Sequence, residues 1–286
     1  MPIDPSVAIG AELPAQSFSW TASDVQLYQL GVGAGANSLD PRELHYVLED
    51  RLQVLPTFAT VAANFHATDA PKVSFPGVEI DLARVVHGRL EVTVHRPIPV
   101  AGSATTRTRI SDIYDKGKAA VIIQESETAD ADGTPLWTTR SGIFARGEGG
   151  FGGERGPSEK IEMPEREPDH VVESPILPQQ ALLYRLCGDR NPLHADPEFA
   201  KAAGFDVPIL HGLCSYGVAC KAVLDAALDG DTSRVASFGV RFAGVLLPGE
   251  TLRTRVWRDG ARLLVTASAV ERDDAPVLAD AVLTVV

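Results

Sequence analysis

Apolar and polar residues alternate in two stretches of the chain, in runs short enough to be strands. In the first stretch the runs cover about residues 90–94, 105–114, 119–126 and 136–144, with Asp115-Lys116-Gly117 and Asp132-Gly133 between the later ones. In the second they cover about 235–242, 251–258, 263–271 and 277–286, punctuated by Pro248-Gly249, Asp259-Gly260 and Asp273-Asp274. Alternation with period two, broken by Asp-Gly turns, predicts antiparallel hairpins with one face on a core. A different period governs residues 210–228. There Leu213, Tyr216, Cys220, Val223, Leu224 and Ala227 recur at helical spacing, and Gly230 closes the segment. A helix laid on a meander of strands is an α+β architecture.

The pattern occurs twice. Residues 147–160 are rich in glycine and charge and cannot bury a core, so they read as a connector. The expected division is an N-terminal repeat over 1–150, a linker over 151–162 and a C-terminal repeat over 163–286. Tyr28-Gln29-Leu30 aligns with Tyr184-Arg185-Leu186, and without a gap Asp40-Pro41 falls on Asp196-Pro197. Pro56 falls on Pro208 later in the alignment. Each Asp-Pro pair reads as a helix N-cap followed by a first-turn proline.

The repeats differ in their chemistry. The run Tyr-Arg-Leu-Cys-Gly-Asp-Arg-Asn-Pro-Leu-His-Ala-Asp-Pro over 184–197 places Asp189, Asn191 and His194 within six positions after Gly188. A carboxylate, an amide and an imidazole that close can hold and deprotonate one water. A second cluster, His211-Gly212-Leu213, follows, and Gly212 opens the expected helix, where a backbone N–H is free to stabilise a developing oxyanion. In the N-terminal repeat Gly33, Gly35 and Ser38 stand where Asp189, Asn191 and His194 would fall. One site per chain is expected, in the C-terminal repeat, with the N-terminal repeat shaping the pocket.

Composition narrows the classes. A hydrophobic content of 44% and a charged content of 22% belong to a globular chain. A net charge of -12 argues against general nucleic-acid binding, which needs a basic face. No apolar run is long enough to cross a bilayer, and the first residues lack a secretory pattern, so a cytoplasmic protein without membrane partners is expected. Cys187, Cys214 and Cys220 lack metal or disulfide spacing and read as small buried hydrophobes. Gly31-Val32-Gly33-Ala34-Gly35-Ala36 imitates a dinucleotide fingerprint, yet no alternating strand and helix pattern follows it.

The run over 184–197, with Pro208-Ile209-Leu210-His211-Gly212-Leu213 after it, resembles the signature of the hydratase 2 branch of the MaoC-like dehydratases. That branch includes the hydratase domain of peroxisomal multifunctional enzyme type 2. The resemblance covers the whole chain. It implies a double hot-dog fold, two tandem repeats each with an antiparallel sheet wrapped on a helix. It also implies reversible hydration of trans-2-enoyl-CoA to (3R)-3-hydroxyacyl-CoA, in fatty-acid or steroid side-chain β-oxidation, without metal or other cofactor.

For the residues, the resemblance implies that Asp189 and His194 are the catalytic pair. Asn191 positions them, and the Gly212 N–H lies near the thioester oxygen. A homodimer is the usual family state. The N-terminal repeat tends to have a reduced central helix, and Pro71, Pro76 and Gly77 would shorten one here. Arg84, Arg89, Arg96, Arg155 and Arg241 are candidates for the CoA phosphates. A thioesterase on the same fold and a non-catalytic acyl-CoA-binding subunit are the alternative functions.

Overall fold

The computed structural model describes residues 3–157 and 160–286. The N-terminal part begins with α1 (Pro5–Ala8), β1 (Gln16–Trp20), α2 (Ala22–Gly31) and α3 (Pro41–Leu44). A small hairpin, β2 (Val73–Phe75) and β3 (Val78–Ile80), precedes four long strands. These are β4 (Val85–Val94), β5 (Gly102–Asp115), β6 (Ala119–Asp130) and β7 (Pro135–Arg146). The C-terminal part runs through β8 (His170–Pro175), α4 (Gln180–Tyr184), α5 (Pro197–Ala202) and α6 (Gly212–Ala227). It ends with β9 (Val235–Phe242), β10 (Thr251–Asp259), β11 (Arg262–Ala269) and β12 (Ala275–Val285).

All eight strands expected from the alternation form, with most starts earlier by up to a few residues and the run expected over 263–271 ending at Ala269. The helix expected over 210–228 is α6. Two edge strands, β1 and β8, were not legible. Each is short, and β8 alternates between half-buried and exposed positions without a strong apolar face.

Ten strands make one antiparallel sheet in the order β1-β5-β6-β7-β4-β9-β12-β11-β10-β8. Five come from each part of the chain, and β4 pairs with β9 at the seam, Leu90 opposite Val240. Instead of two sheets with separate edges, the chain has one sheet that has spent an edge of each half on the other. Backbone pairing across the seam satisfies groups that would otherwise template association.

Helix α6 is the core of the C-terminal half. It is buried around nearly its whole circumference, from Leu213 to Leu224. A helix apolar on every side is one wrapped by sheet. The N-terminal half has no counterpart. Residues Pro56–Thr60 and Ala62–Asn64 form only 3-10 turns, and the chain then leaves for the β2–β3 hairpin. The reduced helix expected there is thus absent as an α-helix. Trp20, Phe58 and Trp137 fill part of the space with tilted and edge-on ring contacts. The rest of it is open.

Both Asp-Pro pairs cap helices as expected. Asp40 accepts from the Arg42 N–H, and Asp196 accepts from the N–H groups of Glu198 and Phe199. The connector has no helix or strand among its described residues, and Ser158 and Glu159 of the expected linker lie outside them. It is nonetheless tethered: the Asp115 carboxylate accepts from the N–H groups of Gly117, Gly150 and Gly152. No described helix is long and apolar enough to cross a membrane. The three cysteines are free and buried.

Candidate active site

The loop that carries Asp189, Asn191 and His194 is built by local turn chemistry. A 3-10 turn ends at Gly188, whose φ of 98° favours glycine. A Cβ there would lie 1.9 Å from the Asn64 carbonyl oxygen. Gly188 is therefore fixed twice, by its backbone angle and by the N-terminal half pressed against it. The Arg190 Nε–H donates to the Ala67 carbonyl at 3.1 Å, a second tie to the same segment.

Asp189 and Asn191 then form a turn. The Asn191 N–H donates to Asp189 Oδ1 at 3.3 Å, and Asn191 Oδ1 caps the next turn by accepting from Leu193 N–H at 3.1 Å. That capped turn, Pro192–His194, carries His194. Asn191 thus orients the backbone that bears both groups.

His194 is buried, and its Nδ1–H donates to the Ile209 carbonyl at 2.9 Å. A carbonyl only accepts, so the proton sits on Nδ1 and the Nε2 lone pair remains available. Burial lowers its pKa from the ordinary 6.5, opposed by the nearby Asp189 charge and the Ile209 bond. The ring of His211 lies face to face with that of His194, centroids 3.8 Å apart and planes at 31°. Tyr184 packs on the other ring contact of His211 at 4.9 Å. His211 Nε2–H donates to the Asp189 carbonyl at 3.2 Å, tying the start of α6 to the Asp189 loop. Its Nδ1 is buried without a partner. Burial, and then the neighbouring His194, push its pKa down to about 3.

Asp189, His194 and His211 each present a ligand atom, all within 4.8 Å of one another. The two rings are tilted by 31°, and the Nε2–H of His211 is already given to the Asp189 carbonyl, which leaves it only its Nδ1 lone pair to offer an ion. The spacing does suit a bridging water: two hydrogen bonds of about 2.8 Å at a near-tetrahedral angle span about 4.6 Å.

Gly212 is the first residue of α6 and its N–H has no acceptor among the described residues. A Cβ there would come within 3.2 Å of the Phe242 ring. The backbone donor is free, and a side chain there would require the Phe242 ring to give by a few tenths of an ångström.

All four predicted residues, Asp189, Asn191, His194 and Gly212, line one cavity of about 750 Å³. The first half contributes residues the sequence reading missed. His87 of β4 lines the cavity 5.7 Å from the Phe242 ring, and desolvation lowers its pKa while the Asp189 charge works against that. Its polar alternation in a strand gave no signal of this placement. The five candidate arginines do not line the cavity. Arg84, Arg96 and Arg241 instead pair with Glu148, Asp130 and Asp280. Among the described lining residues Lys72 is the only lysine or arginine. Gly31 ends helix α2 and Gly33 and Gly35 follow that helix rather than a strand, which removes the dinucleotide reading.

Known proteins share both halves. The MaoC like domain matches residues 159–276, and the MFE-2 hydratase 2 N-terminal domain matches residues 18–147. Enoyl-CoA hydratase ChsH3 of Mycobacterium tuberculosis is 60% identical over 278 residues, with 97% of each chain covered. A solved MaoC-like dehydratase from Phytophthora capsici matches with a TM-score of 0.85 at 30% identity, over 99% of this chain and 98% of its own. A Mycobacterium tuberculosis protein described as having a double hotdog fold matches at TM-score 0.58 and 14% identity, over 100% of this chain and 98% of its own. The last bears on the fold alone, and with the others it identifies the ten-stranded arrangement as a double hot dog.

Proposed function

The chain belongs to the MaoC-like dehydratase family, in its hydratase 2 branch, and on that premise we propose that it is a hydro-lyase that reversibly hydrates trans-2-enoyl-CoA to (3R)-3-hydroxyacyl-CoA. The observation that carries the reading is the Asp189 carboxylate and the lone-paired His194 imidazole lining one cavity, with ligand atoms within 4.8 Å of each other, a spacing one water can bridge.

Water donates one hydrogen to the Asp189 carboxylate and one to His194 Nε2. Both are acceptors, so a lone pair of the water is left to face the β-carbon of the enoyl thioester. As the C–O bond forms, the π electrons move toward the thioester oxygen, and the Gly212 N–H stabilises the charge that develops there. Preorganised donors of this kind contribute about 3 to 4 kcal/mol. The pair takes a proton from the water and returns one to the α-carbon, so its own protonation is unchanged over the cycle. Delivery of both atoms from one wall gives syn addition. Asn191 and His211 position the pair without contacting the reacting atoms. The reaction draws on no other cofactor.

In this reading residues 163–286 form the reactive repeat, and residues 1–150 shape the pocket, joined through 151–162. The substrate is an acyl-CoA of fatty-acid or steroid side-chain β-oxidation, its phosphates held at the Lys72 end. The enzyme works in the cytoplasm as a homodimer, for which the two remaining sheet edges, β1 and β8, offer the contact.

Asp189→Asn and His194→Ala test the assignment. Each is expected to lower turnover of an enoyl-CoA by about a thousandfold with an unchanged circular dichroism spectrum. Near-native turnover in either folded variant would remove that residue from the mechanism.

A further inference from the structure

The Asp189 carboxylate has little of its own to hold it still. Its one hydrogen bond among the described residues comes from the Asn191 N–H at 3.3 Å. Where it stands is therefore set by the backbone on either side of it. That backbone is gripped from two directions. From the C-terminal half, His211 donates to the Asp189 carbonyl. From the N-terminal half, the grip falls on the two neighbouring residues, Gly188 and Arg190.

The gripping element is a turn that stands where the N-terminal half lacks a central helix. The Ala67 N–H donates to the Asn64 carbonyl at 2.8 Å and closes it. Phe65 anchors it in the core, its ring 5.9 Å from that of Phe58. Gln16 of β1 donates to the Ala63 carbonyl at 2.6 Å and ties it to the edge strand. The Asn64 carbonyl fills the space beside Gly188, and the Ala67 carbonyl accepts from the Arg190 Nε–H at 3.1 Å. Ala63, Asn64 and Ala67 line the same cavity as Asp189, whereas Arg190 stands outside its lining.

Arg190 has no task within its own loop. The turn there is built by Gly188, Asp189 and Asn191 and does not use a guanidinium. Ala34 stands at the corresponding position of the N-terminal repeat. Arg190 forms no ion pair with a described carboxylate, and the Ala67 carbonyl is the one partner of its side chain among the described residues. The side chain is half-buried. A guanidinium stays protonated at every working pH, and its hydrogen bonds are stronger than those of a neutral donor. Resting on the hydratase reading, we propose that Arg190 is a positioning residue. It fastens the loop to the Asn64–Ala67 turn and so keeps the Asp189 carboxylate at the distance from His194 that one shared water spans. Arg190 acts through Asp189 and touches no reacting atom.

The test uses the full chain and a trans-2-enoyl-CoA that it hydrates. Arg190→Met keeps the apolar stem and removes the donor. It is expected to lower kcat about thirtyfold and to leave KM within about twofold, because the surfaces that bind substrate are untouched. Arg190→Lys, which restores a cationic donor, recovers part of the loss. Placed on Asp189→Asn, the Arg190→Met change costs less than about twofold more, since the group being positioned no longer acts. Native kcat in folded Arg190→Met would overturn the inference. So would a full further loss on top of Asp189→Asn, or a loss confined to KM, which would assign the guanidinium to the CoA phosphates. Arg190→Gln carries the same comparisons if Arg190→Met does not fold. Amide hydrogen exchange reads the fastening without turnover. The peptides over 185–197 and 60–70 are expected to exchange about tenfold faster in Arg190→Met, and unchanged exchange would overturn the inference. A wild-type chain that hydrates no thioester would strike the hydratase reading, while the exchange measurement still decides the fastening.

Discussion

His194 can serve this chemistry only as a neutral imidazole, because protonation fills the Nε2 lone pair that accepts from water. Burial favours that neutral form and sets its pKa below 6.5. The sign follows directly. Lowering the pH protonates the base and removes activity, and the loss begins beneath 6.5 rather than at it. A profile of kcat/KM against pH is expected to be level from neutral pH down to about 6.5 and to fall only further down. An acid limb centred at or above that value would mean that His194 is not the buried acceptor described. The residues of this pair were legible because Asp189, Asn191 and His194 lie within one turn-forming run, and turn chemistry is local. The packing of His211 on His194, and its bond to the Asp189 carbonyl, join residues 17 and 22 positions apart and were not legible. The second motif announced a partner without saying that it orients the first.

At the scale of elements, α6 carries the burden. Its N-terminus offers the Gly212 donor, and its body fixes the two halves together. Lys221, on a buried turn of the helix, bonds both Glu43 and Asp225 at 2.7 Å, with its ammonium 5.4 Å from the Tyr46 ring. Tyr46 in turn donates to Asp225 at 2.8 Å. Removing the cation leaves two carboxylates facing each other with little water. Lys221→Ala is expected to cost about 2 kcal/mol in urea unfolding at neutral pH, between the surface and the fully buried limits for ion pairs. A cost below about 0.5 kcal/mol would show the network to be incidental. Helical spacing revealed α6 from the sequence, since a buried helix repeats its apolar positions every turn. Glu43, 178 positions from Lys221, left no trace in that spacing.

Across the whole molecule, the eight long strands were readable because each obeys period-two alternation and is closed by turn residues. Their joining into one sheet was not readable, because pairing of β4 with β9 depends on how two halves meet rather than on any local pattern. The same cause hid His87. It sits on a strand whose inward face looks, in sequence, like an ordinary solvent face; it lines a cavity because the helix that would cover it is missing. The site therefore belongs to the complete chain, with the reactive loop of one half held against residues 64–67 of the other.

The central claim is that Asp189 and His194 act as a unit on one water. Turnover of an enoyl-CoA by Asp189→Asn, His194→Gln and the double variant measures this directly. If the two hold the water jointly, each single change lowers kcat/KM by about a thousandfold and the double variant falls little further. If the losses instead multiply toward about a millionfold, the groups act independently and the shared water is wrong.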